Sequence, residues 1–389
     1  MKHKLFPVAL LLLVACNQNP NNTNDEKMNY PQTRMDNTVD TYFGTQVADP
    51  YRWLEDDRSA ETAQWVKAQN DFTFGYLSKI PYRQAIKEKL EKLWNYEKLS
   101  APFTEGDYTY YYKNDGLQNQ SVLYRKDKEG KEEIFLNPNT FSKDGTTSLG
   151  DVAFSEDGSL VAYLISEGGS DWRKGIVLDA KTKKAIGDTL VDIKFSSVAW
   201  KGNEGFFYSS YDKPKGSELS AKTDQHKLYY HKLGTSQKSD KLIFGGTPAE
   251  KYRYVSGTVS NDGKYLFISV ANATSGNKLF VKDLSNPKSS LVTITNNFDG
   301  DIGFVNNQGT TLFLETNINA PNGRLVKGDF KNPQPEHWQD VIPETKNVLS
   351  ITTAGKYLFA KYMVDALSQV KQYDYEGKLI REVKLPSIG

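Results

Sequence analysis

The sequence predicts a mainly β protein, a β-propeller of about six four-stranded blades behind a short α-helical N-terminal segment. Three observations carry this. Val152 to Tyr163 alternates apolar residues into Phe154, turns at Ser155-Glu156-Asp157-Gly158 and leaves in a second apolar run, which reads as a tight hairpin. Weaker copies turn at Gly202-Asn203-Glu204-Gly205, Ser260-Asn261-Asp262-Gly263, Asn306-Asn307-Gln308-Gly309 and Thr353-Ala354-Gly355, and their glycines recur roughly every 45 to 60 residues. Between turns there is room for a third and a fourth strand, as in Leu279 to Leu284 and Leu291 to Ile294. The composition agrees: 23 Tyr and 19 Phe against 1 Cys favour a β-rich chain without disulfides or a cysteine metal site.

Residues 1–16 read as a targeting segment: Lys2 and Lys4 lead an apolar run, Leu5 to Ala15, too short to span a bilayer. Its end, Leu13-Val14-Ala15-Cys16, resembles a bacterial lipobox. That resemblance implies lipid attachment at Cys16 and a place at the bacterial cell envelope, on the periplasmic or outer-membrane face. An ordinary secretory leader, or a core helix with a buried Cys16, are the alternatives. Residues 17–29, rich in Asn, form a flexible tether.

Residues 30–100 form the helical segment. Ser59 can cap a helix bearing Trp65, Phe72 and Tyr76, with Glu61 in its first turn. After Pro81 a second helix carries Ile86, Leu90, Leu93 and Trp94 as an apolar stripe against Lys87, Lys89 and Lys92, a pattern expected for packing. Glu55-Asp56-Asp57 reads as a solvated turn, since nothing near it completes a ligand set. Residues 101–389 are strands throughout, interrupted by a loop from Tyr211 to Gln225 inside the third blade. With Lys+Arg 49 against Asp+Glu 48, the net charge of +1 gives no reason to expect nucleic acid as a partner.

Five motifs, taken together and in order, carry a family resemblance: Asp49-Pro50-Tyr51-Arg52-Trp53-Leu54-Glu55-Asp56, Gly116-Leu117-Gln118-Asn119-Gln120, Phe154-Ser155-Glu156-Asp157-Gly158, Gly169-Ser170-Asp171-Trp172 and Lys227-Leu228-Tyr229-Tyr230-His231. From Tyr30 onward the chain resembles the prolyl oligopeptidases. The resemblance implies a serine peptidase that cleaves short peptides after proline, in which the N-terminal helical segment, residues 30–100, packs on a C-terminal α/β-hydrolase domain and a seven-bladed propeller gates that domain. It also implies substrate-cavity positions at Phe195, within Lys194 to Trp200, and at Tyr254, and a contact to the catalytic domain at Asp171. No cofactor or metal is implied.

The catalytic residues of the family lie after the propeller. No Gly-x-Ser-x-Gly occurs here, and the four histidines are His3, His226, His231 and His337, so no catalytic residue is assigned. His226 and His231 flank a strand-like run, which favours structural or exposed roles. The expectation is a truncated or interrupted product of a longer gene, short of its closing blade and inactive alone, whose partners are proline-containing peptides, a hydrolase domain and, through the anchor, a membrane. The alternative is a lipid-anchored propeller that binds without catalysis.

Overall fold

The computed structural model describes residues 28–214, 219, 223–248 and 251–387. The leader with Cys16, the tether through residue 27, and residues 215–218 and 220–222 of the expected loop lie outside them. Among the described residues no helix is long and apolar enough to cross a membrane. The chain divides into two compact units, residues 1–83 and 84–389.

In the first unit, strands Val39–Tyr42 and Thr45–Ala48 pair as a hairpin. Its two-residue turn, Phe43-Gly44, has both residues at positive φ, the conformation that matches the twist of paired strands. The sequence reading places no strand here, because Phe43 stands where Asn or Asp usually announces such a turn. Helix α1, Ala60–Ser78, starts as expected, with the Thr62 amide donating to the Ser59 hydroxyl at 3.0 Å. Glu61 accepts both Nε and Nη2 of Arg34, the Trp65 indole donates to Thr33, and the Phe72 ring meets Tyr30 at 5.0 Å. Tyr76, by contrast, is exposed.

Helix α2, Arg83–Trp94, leads into the second unit. Its stripe of Ile86, Leu90, Leu93 and Trp94 is exposed among the described residues. Lys98 anchors its end, donating to the carbonyls of Trp94 and Gly116, each at 2.8 Å.

Six antiparallel sheets then follow in chain order among the described residues. Blade 1 (Lys98–Leu99, Phe103–Glu105, Tyr108–Asn114, Val122–Lys126, Glu132–Leu136) has its innermost strand in two pieces, and blade 2 comprises Thr147–Phe154, Leu160–Glu167, Trp172–Asp179 and Leu190–Lys194. Blade 3 comprises Ala199–Lys201, Gly205–Ser210, Lys227–Lys232 and Lys241–Phe244, and blade 4 Tyr254–Val259, Tyr265–Ala271, Asn277–Asp283 and Val292–Thr295. Blade 5 comprises Ile302–Gln308, Thr311–Thr316, Arg324–Asp329 and Gln339–Ile342, and blade 6 Val348–Ala354, Tyr357–Val364, Leu367–Tyr373 and Leu379–Val383.

The unbroken apolar runs in the second strands have a physical cause. Successive side chains of a strand point to opposite faces, and a central blade is buried on both. Phe206 therefore packs toward blade 2 with Trp200 and Ile193, while Phe207 packs toward blade 4 with Leu228 and Val255. Leu312 and Leu314 face blade 4, and Phe313 faces blade 6. A hydrophobic cluster fills each junction from blade 1 to blade 6, and each fully buried Leu or Phe contributes about 1.5–3 kcal/mol.

Blade 6 breaks the pattern. Leu358, Ala360 and Tyr362 pack on blade 5, but Val348, Tyr357 and Met363 on the opposite face are exposed. Among the described residues no hydrogen bond, ion pair, ring contact or apolar cluster joins blade 6 to blade 1.

Candidate functional site

The innermost strand of each blade runs toward the hairpin turn, so each blade has a turn end and an opposite end where the chain enters. Three residues singled out from the sequence lie at the entry end of blades 2–4. Asp171 sits in the turn before Trp172–Asp179, Phe195 follows the last strand of blade 2, and Tyr254 opens the first strand of blade 4.

The link from blade 2 to blade 3 is short and strained. Phe195 has φ 49°, a left-handed conformation that a bulky residue holds only when its surroundings over-determine it. Here the Ser209 amide donates to the Ser196 hydroxyl at 2.7 Å, and the Val198 amide donates to Asp151 at 3.1 Å. The Phe195 ring is thereby turned outward, 42% exposed. It meets Tyr254, 40% exposed, edge to face at 5.8 Å, and Tyr211 at 6.2 Å. The structure thus brings Phe195 and Tyr254 together across blade 3, while Asp171 shares their end of the blades without joining the ring contacts.

Residues that sequence reasoning missed complete this cluster. Lys194 lies with its ammonium 4.8 Å from the Trp172 ring and 5.3 Å from that of Phe195, a cation over two aromatic faces. Tyr211 is buried and donates its hydroxyl to the Arg253 carbonyl, and burial pushes its phenol up to about 12. Behind it, fully buried His226 stacks on the Tyr211 ring at 4.3 Å. Its Nε2 lies 2.8 Å from the Lys194 carbonyl, and its Nδ1 accepts the Val255 amide at 2.8 Å. An apolar or aromatic side chain laid against the touching Phe195 and Tyr254 rings would find exposed aromatic surface with a cation beside it.

Farther round the same end, a cleft of about 400 Å³ is lined by Asp301, Glu315, Asn317 and Asn322. Glu315 accepts the Ile351 amide at 3.1 Å, and burial raises its carboxyl above the ordinary range. Its signal was a carboxylate closing the otherwise apolar run Leu312-Phe313-Leu314.

The turn end is self-satisfied. Asp157 accepts the Ser155 hydroxyl at 3.0 Å, the Ser159 amide at 2.9 Å and, from blade 3, the Asn203 side chain at 2.7 Å, which hold its carboxyl far below the usual range. Asp262 repeats this with Ser260 and with Asn307 of blade 5. The two serine hydroxyls here are spent on their own turns.

His231 is buried in blade 3, its Nδ1 2.8 Å from Asp240, whose other oxygen accepts the Tyr208 hydroxyl at 2.8 Å. The carboxylate stands between hydroxyl and imidazole, whereas nucleophilic catalysis needs the imidazole in the middle. Gln237 ties the same cluster to the Val191 backbone of blade 2, so the group is a structural knot. His337 sits in a short 3-10 turn on blade 5.

Fold and site thus define a multi-bladed propeller with an aromatic contact surface at one end of its blades. A family model described as the prolyl oligopeptidase N-terminal beta-propeller domain matches residues 30–389. The chain is 56% identical over 390 residues to a prolyl endopeptidase of Elizabethkingia miricola, covering 100% of this chain and 55% of that protein. It is 54% identical to one from Elizabethkingia meningoseptica, with the same coverage. Among solved structures, prolyl oligopeptidase B from Galerina marginata bound to a 35mer hydrolysis and macrocyclization substrate superposes with a TM-score of 0.79, at 29% identity, over 93% of this chain and 55% of that one. The chain belongs to the prolyl oligopeptidase family and comprises its N-terminal propeller part. It spans about half the length of the curated relatives it matches.

Proposed function

We propose that this chain is the substrate-admitting part of a serine endopeptidase that cleaves short peptides after proline, and that it works against an α/β-hydrolase domain carrying the nucleophile. The observation that carries the reading is the likeness along the whole chain to prolyl endopeptidases about twice its length. In this reading Phe195 and Tyr254 touch the substrate, and Asp171 faces the hydrolase domain. The exposed stripe of α2 and the open face of blade 6 are apolar surfaces that further family elements would cover: the hydrolase domain on the first, a closing blade on the second. The propeller limits entry to short peptides, and the chain alone turns nothing over. Cys16 carries a lipid that holds the protein at the bacterial cell envelope.

The test is hydrolysis of a proline-containing chromogenic peptide by this chain alone and after addition of a separately produced hydrolase domain from a family member. No turnover alone, and turnover with the domain, is expected. Turnover by the isolated chain that a serine-directed inhibitor abolishes would overturn the reading. Peptide binding with no turnover in either mixture would favour an anchored binding protein instead. Radiolabelled palmitate incorporation, lost in Cys16→Ala, tests the anchor.

A further inference from the structure

His226 joins three blades through a single side chain. It enters blade 3, its backbone amide donates to the Tyr252 carbonyl at 2.9 Å, and its ring nitrogens reach blade 2 on one side and blade 4 on the other. A ring nitrogen that accepts a backbone N–H cannot itself carry a proton. Nδ1 is therefore bare, and the proton sits on Nε2 and is donated to the Lys194 carbonyl, so one neutral tautomer satisfies both partners. Desolvation pushes the imidazole down to about 4, which keeps it in that form near neutrality.

The two backbone groups it grips are specific ones. The Lys194 carbonyl belongs to the peptide plane from which Phe195 departs, and the Val255 amide belongs to the plane that Tyr254 leaves. We infer that His226 is a positioning residue: by fixing these two peptide planes it sets how the Phe195 and Tyr254 rings stand against each other, and with it the aromatic surface they offer a substrate side chain. This rests on the reading of Phe195 and Tyr254 as substrate contacts. The left-handed backbone at Phe195 makes the grip matter, because a relaxed peptide there would carry the ring away from its present place. Tyr211, stacked on the imidazole and edge to face with Phe195, closes the same unit from behind.

Three substitutions separate positioning from simple blade cohesion. His226→Gln keeps a donor and an acceptor on neighbouring atoms, His226→Asn reaches Val255 but not Lys194, and His226→Phe keeps the stack and loses both bonds. Crystal structures of the full chain with each substitution read the ring-to-ring geometry directly, and fluorescence anisotropy of a labelled proline-containing peptide reads its consequence. Expected are a ring-to-ring distance above 5.8 Å and about tenfold weaker peptide binding in H226F, displacement of Phe195 but not Tyr254 in H226N, and recovery of both ring contact and binding in H226Q. An unchanged ring-to-ring contact in H226N or H226F overturns the inference, whether or not peptide binds. Should H226F fail to fold, H226N and H226Q decide. Phe195→Ala is the separate control: unaltered binding there would overturn the substrate-contact reading, while a loss there beside unaltered binding in H226F and H226N would overturn only the role of His226.

Discussion

The two ends of blades 2–5 solve the same problem differently. At the turn end each hairpin satisfies its own polar groups from within about five residues, and Asn203 and Asn307 then reach one blade over to Asp157 and Asp262. At the entry end the ties run between residues about thirty positions apart, Lys194 to His226 and His226 to Val255, and two aromatic rings are left facing water. An end whose polar groups are satisfied within and between its turns holds the blades in register. An end where buried ties support exposed rings costs solvation of those rings, a cost that makes sense where something binds.

The largest test of this contrast lies at the turn end of blades 1 and 2. Arg125, 2% exposed, donates to the Ala180 and Lys181 carbonyls of blade 2, pairs with Glu133, and lies 4.0 Å over the Tyr108 ring. Arg125→Ala leaves the buried Ala180 carbonyl unpaired and removes the guanidinium from over the Tyr108 and Phe135 rings, and should lower stability by about 3–4 kcal/mol in urea titrations. A loss below about 1 kcal/mol would show that this end does not depend on its polar ties.

Next in size is a pH effect at the entry end. The folded state holds His226 near 4 against an ordinary 6.5, so as pH falls the unfolded chain takes the proton first. The His226 contribution to stability should decline as pH drops from about 6.5 toward 4 and level off below, by up to about 3 kcal/mol. H226Q should lack that slope. The groups facing the imidazole are the Tyr211 phenol, neutral throughout this range, and backbone amides and carbonyls. The Asp157 carboxyl loses its advantage only below the ordinary 3.8, and Glu132 and Glu133 begin to lose theirs below 4.5, so the comparison with H226Q isolates the imidazole's share.

A smaller effect is expected from Asn203→Ala, which removes one partly exposed tie between turns. About 1 kcal/mol is expected, and the same for Asn307→Ala, with additive losses in the double variant. Smallest for stability is Phe195→Ala. An exposed ring contributes little to folding, so a change within about 0.5 kcal/mol should accompany weakened peptide binding. A large loss of stability with intact binding would turn the entry-end cluster into another structural knot.

What could be read without coordinates follows the same division. Ser-x-Asp-Gly turns, the Ser59 cap and the doubly apolar strands were legible because each depends on neighbours a few residues away or on the period-two alternation of strands. Phe195 and Tyr254 came through family likeness, and nothing in their spacing announced that the rings would meet. His226 looked like an ordinary strand-flanking histidine, and Tyr211 like the start of a loop. The Phe43-Gly44 hairpin escaped because its first turn residue is atypical.

By itself the sequence determined that this chain builds repeated four-stranded blades, since hydrophobic alternation and turn chemistry are local properties of the polymer. Only the tertiary structure decided which blade faces meet, that the apolar stripe of α2 and one face of blade 6 are exposed, and that one imidazole spans blades 2 to 4. Those outcomes depend on where distant strands come to rest, and local pattern carries no information about that distance.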